Sequence, residues 1–294
     1  SFYVQGRNIT NVPVLRYASP TASREGKDAV LRRLQEYGAN WVFVLKGGFL
    51  LLAYNIEKAR PTKDIDFLGV DVSNDRSDLQ RITKDIASIN LGDGVRFLPD
   101  SVRSDVIKED GDYEGVRIKI TAKVGSARNI IQIDCGFGDV VSPHPLQMDY
   151  PTLLSAETVK VLAYSKETIV AEKFEAIVKL STFNTRMKDF YDIAFLAHEF
   201  DFDADALQSA IRHTFARRQT SMISASDLLQ NDLGDQASFH RSWAGFKKRT
   251  RLATPLDFKG TFEHIRSFIG PIIKAELENR PVNRRWSCNT KAWS

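Results

Sequence analysis

Apolar positions fall in short bursts along the first half of the chain and at helical spacing along the second. Val30, Leu31, Leu34 and Tyr37 share one face of an amphipathic helix over residues 25–37. Trp41–Leu45 is a run of β-forming residues, Gly47-Gly48 interrupts it, and Phe49–Ile56 reads as helix. Asp64–Val70, Arg117–Ala122 and Asn129–Cys135 read as strands, with glycine and aspartate clusters between them. Beyond Pro151 the spacing predicts helices over 155–181, 185–199, 204–217, around 236–248 and over 260–279. The predicted fold class is therefore α/β: a domain of mixed strands over 1–150, then a mostly α-helical domain over 151–294. Pro143, Pro145 and Pro151 mark the linker.

Composition narrows the class. The 294 residues are 43% hydrophobic and 27% charged, which excludes disordered, collagen-like and disulfide-stapled chains. Two cysteines, Cys135 and Cys288, form no disulfide framework and predict a cytoplasmic protein. The most apolar stretch, Trp41 to Tyr54, is too short to span a membrane and contains Lys46, so no membrane partner is expected. The net charge of +4 hides an uneven distribution. Residues 1–150 are neutral, 151–205 carry −4, and 206–294 carry +8. Clusters such as Arg217-Arg218, Lys247-Lys248-Arg249-Arg251 and Arg280/Arg284/Arg285/Lys291 suit solvated helix faces or a polyanionic partner.

The candidate chemistry begins at Asp64-Ile65-Asp66-Phe67. Alternation in a strand puts both carboxylates on one face, with Ile65 and Phe67 on the other. Two adjacent carboxylates repel unless a cation joins them, and oxygen-only ligands favour Mg²⁺; an exposed edge strand gives the same pattern. Gly47-Gly48 opens a helix where bare N–H groups can meet an anion, or where the chain simply turns. Asp134 ends an apolar strand and shares a face with Gln132, a costly position unless it has a partner. Arg60 and Lys63 flank the carboxylate pair and could meet phosphates or surface acids. On the helix around 165–181, Lys173 falls within the stripe of Ile169, Val170, Ile177 and Leu180, with Glu172, Glu175 and Lys179 opposite. It either snorkels to a rim or reaches an anion in a cleft. Arg186 and Asp189 fall on the apolar side of the next helix and Asp192 toward its exposed side. The five histidines lack metal-ligand spacing, and no Walker A loop, G-x-G-x-x-G or G-x-S-x-G is present.

Taken in order, Leu45-Lys46-Gly47-Gly48, Arg60-Pro61-Thr62-Lys63-Asp64-Ile65-Asp66-Phe67, Asp134, Ala171-Glu172-Lys173-Phe174 and Arg186-Met187-Lys188-Asp189-Phe190-Tyr191-Asp192-Ile193 resemble the AbiEii/AbiGii-type toxin nucleotidyltransferases. These belong to type IV toxin–antitoxin and phage-abortive systems, within the DNA polymerase β-like superfamily. The resemblance runs from about residue 25 to 200, more loosely to around Trp243. It implies a polymerase β-like domain with a mixed sheet, a nucleoside triphosphate substrate and a two-metal Mg²⁺ site, with Mn²⁺ as an alternative. Asp64, Asp66 and Asp134 would be the metal ligands. Lys46, Gly47 and Gly48 would line the phosphates, and Lys173 would neutralise the triphosphate from the helical domain. Asp189 matches an essential acidic position and would orient Lys173 or Arg186; Thr62 is a candidate for modification. The resemblance further implies transfer to RNA, at the tRNA 3′ acceptor end, blocking translation, with a cognate antitoxin as partner. Nucleotidylation of a protein or small-molecule hydroxyl, and a catalytically silent binding protein, remain the alternatives.

Overall fold

The computed structural model describes residues 18–55, 59–109, 113–153, 157–252 and 256–294. Its first half runs α1 (Ala18–Tyr37), β1 (Phe43–Lys46), α2 (Gly47–Tyr54), β2 (Asp64–Gly69), α3 (Arg76–Ser88), β3 (Val95–Glu109), β4 (Tyr113–Val124) and β5 (Ala127–Phe137). β6 (Leu146–Pro151) and β7 (Thr158–Ala163) follow, and the seven strands form one mixed sheet in the order β3-β4-β5-β2-β1-β7-β6. β2 runs parallel to β5, and β1 runs parallel to β7 and antiparallel to β2.

Two expectations change here. The helix predicted from residue 155 begins only at Lys166, because Thr158–Ala163 alternates exposed and buried positions and pairs with β1; residues 155 and 156 lie outside the described residues. Val159, Val161 and Ala163 face inward, a period of two that the apolar spacing of the adjoining helix obscured. The sheet therefore continues past Pro151. The second helix spans Gly47–Tyr54 rather than Phe49–Ile56, since the glycines begin it; residue 56 lies outside the described residues.

Each sheet face has its own neighbour. Phe67, Ile118, Ile120, Ile133 and Cys135 pack against Val30 and Leu34 of α1 and Leu79, Ile82 and Ile86 of α3. Hydrophobic burial on that side leaves the opposite face of β2 and β5 to carry the carboxylates. The second half comprises α4 (Lys166–Leu180), α5 (Met187–Glu199), a short strand β8 (Phe202–Asp203), α6 (Ala204–Arg217), α7 (Met222–Gln230), α8 (Ala237–Thr250) and α9 (Phe258–Leu277). It ends in β9 (Arg285–Ser287) and β10 (Ala292–Trp293), which join β8 in a small sheet. Ser165 caps α4 by accepting from Thr168 N, and Asp203 and Asp257 cap α6 and α9 in the same way. Phe190 on α5 meets Phe239, Phe258 and Phe262, fixing α5 against α8 and α9. Trp286 is fully buried with its indole N–H donated to Ala197 O at 2.7 Å. α4 and α5, thus anchored, face the carboxylate side of the sheet across a cleft.

Candidate active site

The sheet register builds the floor of the cleft. Lys46 on β1 lies opposite Asp66 on β2, Asp66 opposite Asp134 on β5, and Asp134 opposite Arg117 on β4. One row across four strands thus carries a cation, two carboxylates and a cation, with Asp64 two residues before Asp66. Ligand oxygens of Asp64, Asp66 and Asp134 all lie within 4.8 Å of one another. Burial pushes the Asp66 carboxyl up to about 6, and the negative charge of Asp64 adds to this, against the pull of Lys46 and Lys188. A buried carboxylate that resists ionisation is short of positive charge. Asp134 is differently placed: Arg117 donates to both its oxygens at 2.9 and 2.7 Å, and Gln132 donates at 3.2 Å. Thr62 Oγ1 donates to Asp64 Oδ1 at 2.9 Å.

The glycine pair is dictated by space. Gly47 takes φ +68° at the start of α2, and a Cβ there would collide with the Asp66 carboxylate. At Gly48 a Cβ would stand 2.9 Å from both terminal nitrogens of Arg60 and 3.0 Å from Thr62 Oγ1. Gly47 thus lets the start of α2 approach the Asp66 carboxylate, and Gly48 lets it approach Arg60 and Thr62.

The walls come from the helical half. Lys173 Nζ lies 3.0 Å from Asp189 Oδ1 and 2.8 Å from Asp192 Oδ2. Arg60 donates to both oxygens of the same Asp192 at 2.9 and 2.8 Å. Arg186 Nε stands 3.0 Å from Asp189 Oδ2, an ion pair without hydrogen-bond alignment. Burial alone would lower the Lys173 ammonium, but Asp189 and Asp192 outweigh it and hold it above the ordinary lysine range. Burial likewise opposes the Asp189 charge, yet Lys173, Arg186 and Lys188 hold that carboxyl below its ordinary range. Asp192 is fully buried, not on an exposed face: at i,i+3 from Asp189 it turns toward the same cation.

A second charged cluster lines the cleft and continues into the interior at Glu175. Lys46 Nζ pairs with Asp139 at 3.1 Å, and Arg218 reaches Asp139 and Glu172 at 3.2 Å and Glu175 at 2.9 Å. Glu172 and Glu175 are therefore interior, not on the solvent side expected of them, and Arg218 is withdrawn from the basic surface. Burial pushes the Glu172 carboxyl up to about 7, with Asp139 adding to the rise and Lys46 and Arg218 opposing it. Lys27 of α1 supports the floor from behind, donating to Thr62 O at 2.6 Å; burial brings its ammonium down to about 8.

The cleft has a volume of about 880 Å³ and is lined by Lys46, Gly47, Gly48, Arg60, Asp64, Asp66, Asp134, Lys173, Arg186 and Asp189 of the expected residues. Lys63 is exposed and does not line it. Arg117, Asp139, Glu172, Lys179, Lys188 and Arg218 line it too, and the sequence reading gave none of them a place there. Arg117 becomes visible only through its register with Asp134. Asp192 left a signal in its i,i+3 spacing from Asp189.

Residues 29–266 match the family model described as nucleotidyl transferase AbiEii toxin, type IV TA system. The chain belongs to that family. It is thus a nucleotidyltransferase of a toxin family, as the order of its motifs led us to expect. JHP933 from Helicobacter pylori shares the fold, with 14% identity, a TM-score of 0.50, and coverage of 88% of this chain and 94% of that one. A second H. pylori structure, of a candidate nucleotidyltransferase, aligns at 16% identity and TM-score 0.49 over 85% of this chain and 92% of its own. No individually curated protein matches this AbiEii chain. Among its described residues, no helix is long and apolar enough to cross a membrane.

Proposed function

We propose that this AbiEii-family chain transfers a nucleotide from a nucleoside triphosphate to the 3′ end of an RNA, with tRNA as acceptor, and so arrests translation. The observation that carries the reading is the Asp64/Asp66/Asp134 cluster set against the N-terminus of α2, in a cleft whose opposite wall supplies Lys173, Lys179, Arg186 and Lys188. Three hard oxygen donors within reach of one cation, one of them resisting ionisation, suit Mg²⁺. Asp64, Asp66 and Asp134 would hold it, and Arg117 must then yield at least one oxygen of Asp134. When bound, the cation supplies charge neutralisation at the triphosphate and acidity at the attacking hydroxyl.

The rest falls to the chain itself. Gly47 and Gly48 put no side chain of their own at the N-terminus of α2, which suits a phosphate there. Lys188, exposed at the start of α5 and close enough to act on Asp66, meets the triphosphate from the other side. Lys173 is held by Asp189 and Asp192, so it is a fixed part of the cleft wall rather than a mobile arm. The acceptor hydroxyl oxygen, giving up its proton to water, bonds to the α-phosphorus as the bond from that phosphorus to the α,β-bridging oxygen breaks, and pyrophosphate leaves with the bridging oxygen. Lys247, Lys248, Arg249 and Arg251 end α8 as a basic surface, and among the described residues no carboxylate forms an ion pair with them. That supports a polyanionic acceptor. A cognate antitoxin is the expected partner of a type IV toxin.

The test is incubation with total tRNA, Mg²⁺ and each labelled nucleoside triphosphate in turn. Label entering RNA supports the reading; label entering only protein or small molecules overturns it in favour of hydroxyl nucleotidylation elsewhere. Asp64→Ala with Asp66→Ala must abolish transfer in a protein that still folds; persistent transfer would remove the metal assignment.

A further inference from the structure

Between α4 and α5 the chain makes one 3-10 turn, Ser181–Phe183, and Phe183 projects from it with 88% of its surface exposed. It is the most exposed large apolar side chain among the described residues. The turn is not loose. Ser181 takes φ +46°, Asn184 N donates to Ser181 O at 3.1 Å, and Asn184, itself buried, accepts from Arg186 N at 2.6 Å. The residues on either side of the turn, Lys179 before it and Arg186 and Lys188 after it, all line the cleft. Phe183 itself does not line the cleft and lies on the turn that joins two cleft-lining helices.

We propose that Phe183 is a stacking platform for an unpaired nucleobase at the 3′ end of the acceptor RNA, with Lys179 and Arg186, on either side of the turn, meeting the adjacent phosphates. This rests on the reading of the chain as an RNA-directed nucleotidyltransferase and specifies what part of the RNA is gripped. An exposed aromatic ring on a turn flanked in sequence by cations has the chemistry of single-strand recognition: the ring takes the face of a base, and the cations take the backbone. Its place outside the cleft assigns it to the acceptor strand rather than to the incoming nucleotide. Stacking tolerates any base, so the platform selects for an unpaired end, not for a sequence. A held turn also means that little order must be gained on binding.

The experiment uses the full chain and a short RNA hairpin with a single-stranded 3′ tail carrying 2-aminopurine at its last position. Binding to the wild-type protein should quench the fluorescence. Phe183→Ala should restore it and weaken tailed-RNA affinity by roughly 5- to 150-fold, while Phe183→Trp retains both quenching and affinity. The same substitution to alanine should leave binding of a blunt-ended hairpin within about twofold, which a folding defect would not do. In turnover the effect should fall on KM for RNA. Equal quenching and equal KM in Phe183→Ala, with RNA still extended, would overturn the platform and leave the RNA reading standing. No binding or extension of any RNA by the wild-type protein would overturn both. Loss of binding to the co-expressed antitoxin in Phe183→Ala, with RNA binding intact, would reassign the ring to the antitoxin.

Discussion

Asp192→Asn tests whether the wall of the cleft is built as its geometry states. The native carboxylate is fully buried and accepts from Arg60 twice, at 2.9 and 2.8 Å, while Lys173 Nζ stands 2.8 Å away. Its removal leaves two buried cations sharing Asp189, which already faces Arg186. Breaking a buried pair from one side costs about 3–5 kcal/mol, because the surviving charge is left uncompensated. Asparagine keeps the shape and one acceptor oxygen, so about 3 kcal/mol is expected. On a domain of ordinary stability that is a large share of the total. The assay is urea unfolding: the midpoint should fall with the slope unchanged. A double variant, Arg60→Met with Asp192→Leu, should be less destabilised than the two single changes together, since no orphaned charge remains at that pair. Nucleotide transfer should also fall in Asp192→Asn, because Lys173 loses one of its two anchors. An unfolding free energy within about 0.5 kcal/mol of wild type, with additive double-variant behaviour, would refute the idea that this carboxylate neutralises buried cations.

Three further outcomes follow from other parts of the site. Gly47→Ala forces a Cβ into the Asp66 carboxylate at a left-handed backbone position, which alone costs about 1–2 kcal/mol; transfer should be lost, as measured against Gly38→Ala, where φ is also positive but space is open. Glu172 is raised to about 7 from an ordinary value of 4.5, so its protonated form favours the fold. Its contribution is full below about 4.5 and is lost as pH rises through 7; urea midpoints should show Glu172→Gln losing less stability than wild type between pH 5.5 and 8. Lys188→Ala should raise KM for the nucleoside triphosphate by about tenfold, the loss of one charge-assisted phosphate contact at roughly 1.5 kcal/mol, with no change in urea midpoint because Lys188 is exposed; an unchanged KM would remove it from the phosphate site.

Much of this protein was readable without its structure, and the physical reason is locality. Alternation alone puts Asp64 and Asp66 on one face and Ile65 and Phe67 on the other, and the helical period alone places Lys173 among Ile169, Val170 and Ile177. The ordered string from Lys46 to Asp192 was enough to suggest the family. What the sequence left open depends on pairs far apart in the chain. β7 looked helical because its period of two is short and abuts the apolar spacing of α4. Only its pairing with β1 makes Thr158–Ala163 a strand. Glu172, Glu175 and Asp192 looked solvent-facing because a helical wheel assumes one buried side. In the folded chain α4 and α5 are enclosed by β5's following loop, by the end of α6 and by Arg60. Charged groups can be buried there because Arg218, Lys46 and Arg60 arrive from elsewhere to pair with them. The sequence thus determined which residues carry charge and on which local face. Register and packing decided which charges meet, placing Arg117 on Asp134 and leaving Lys63 outside the cleft.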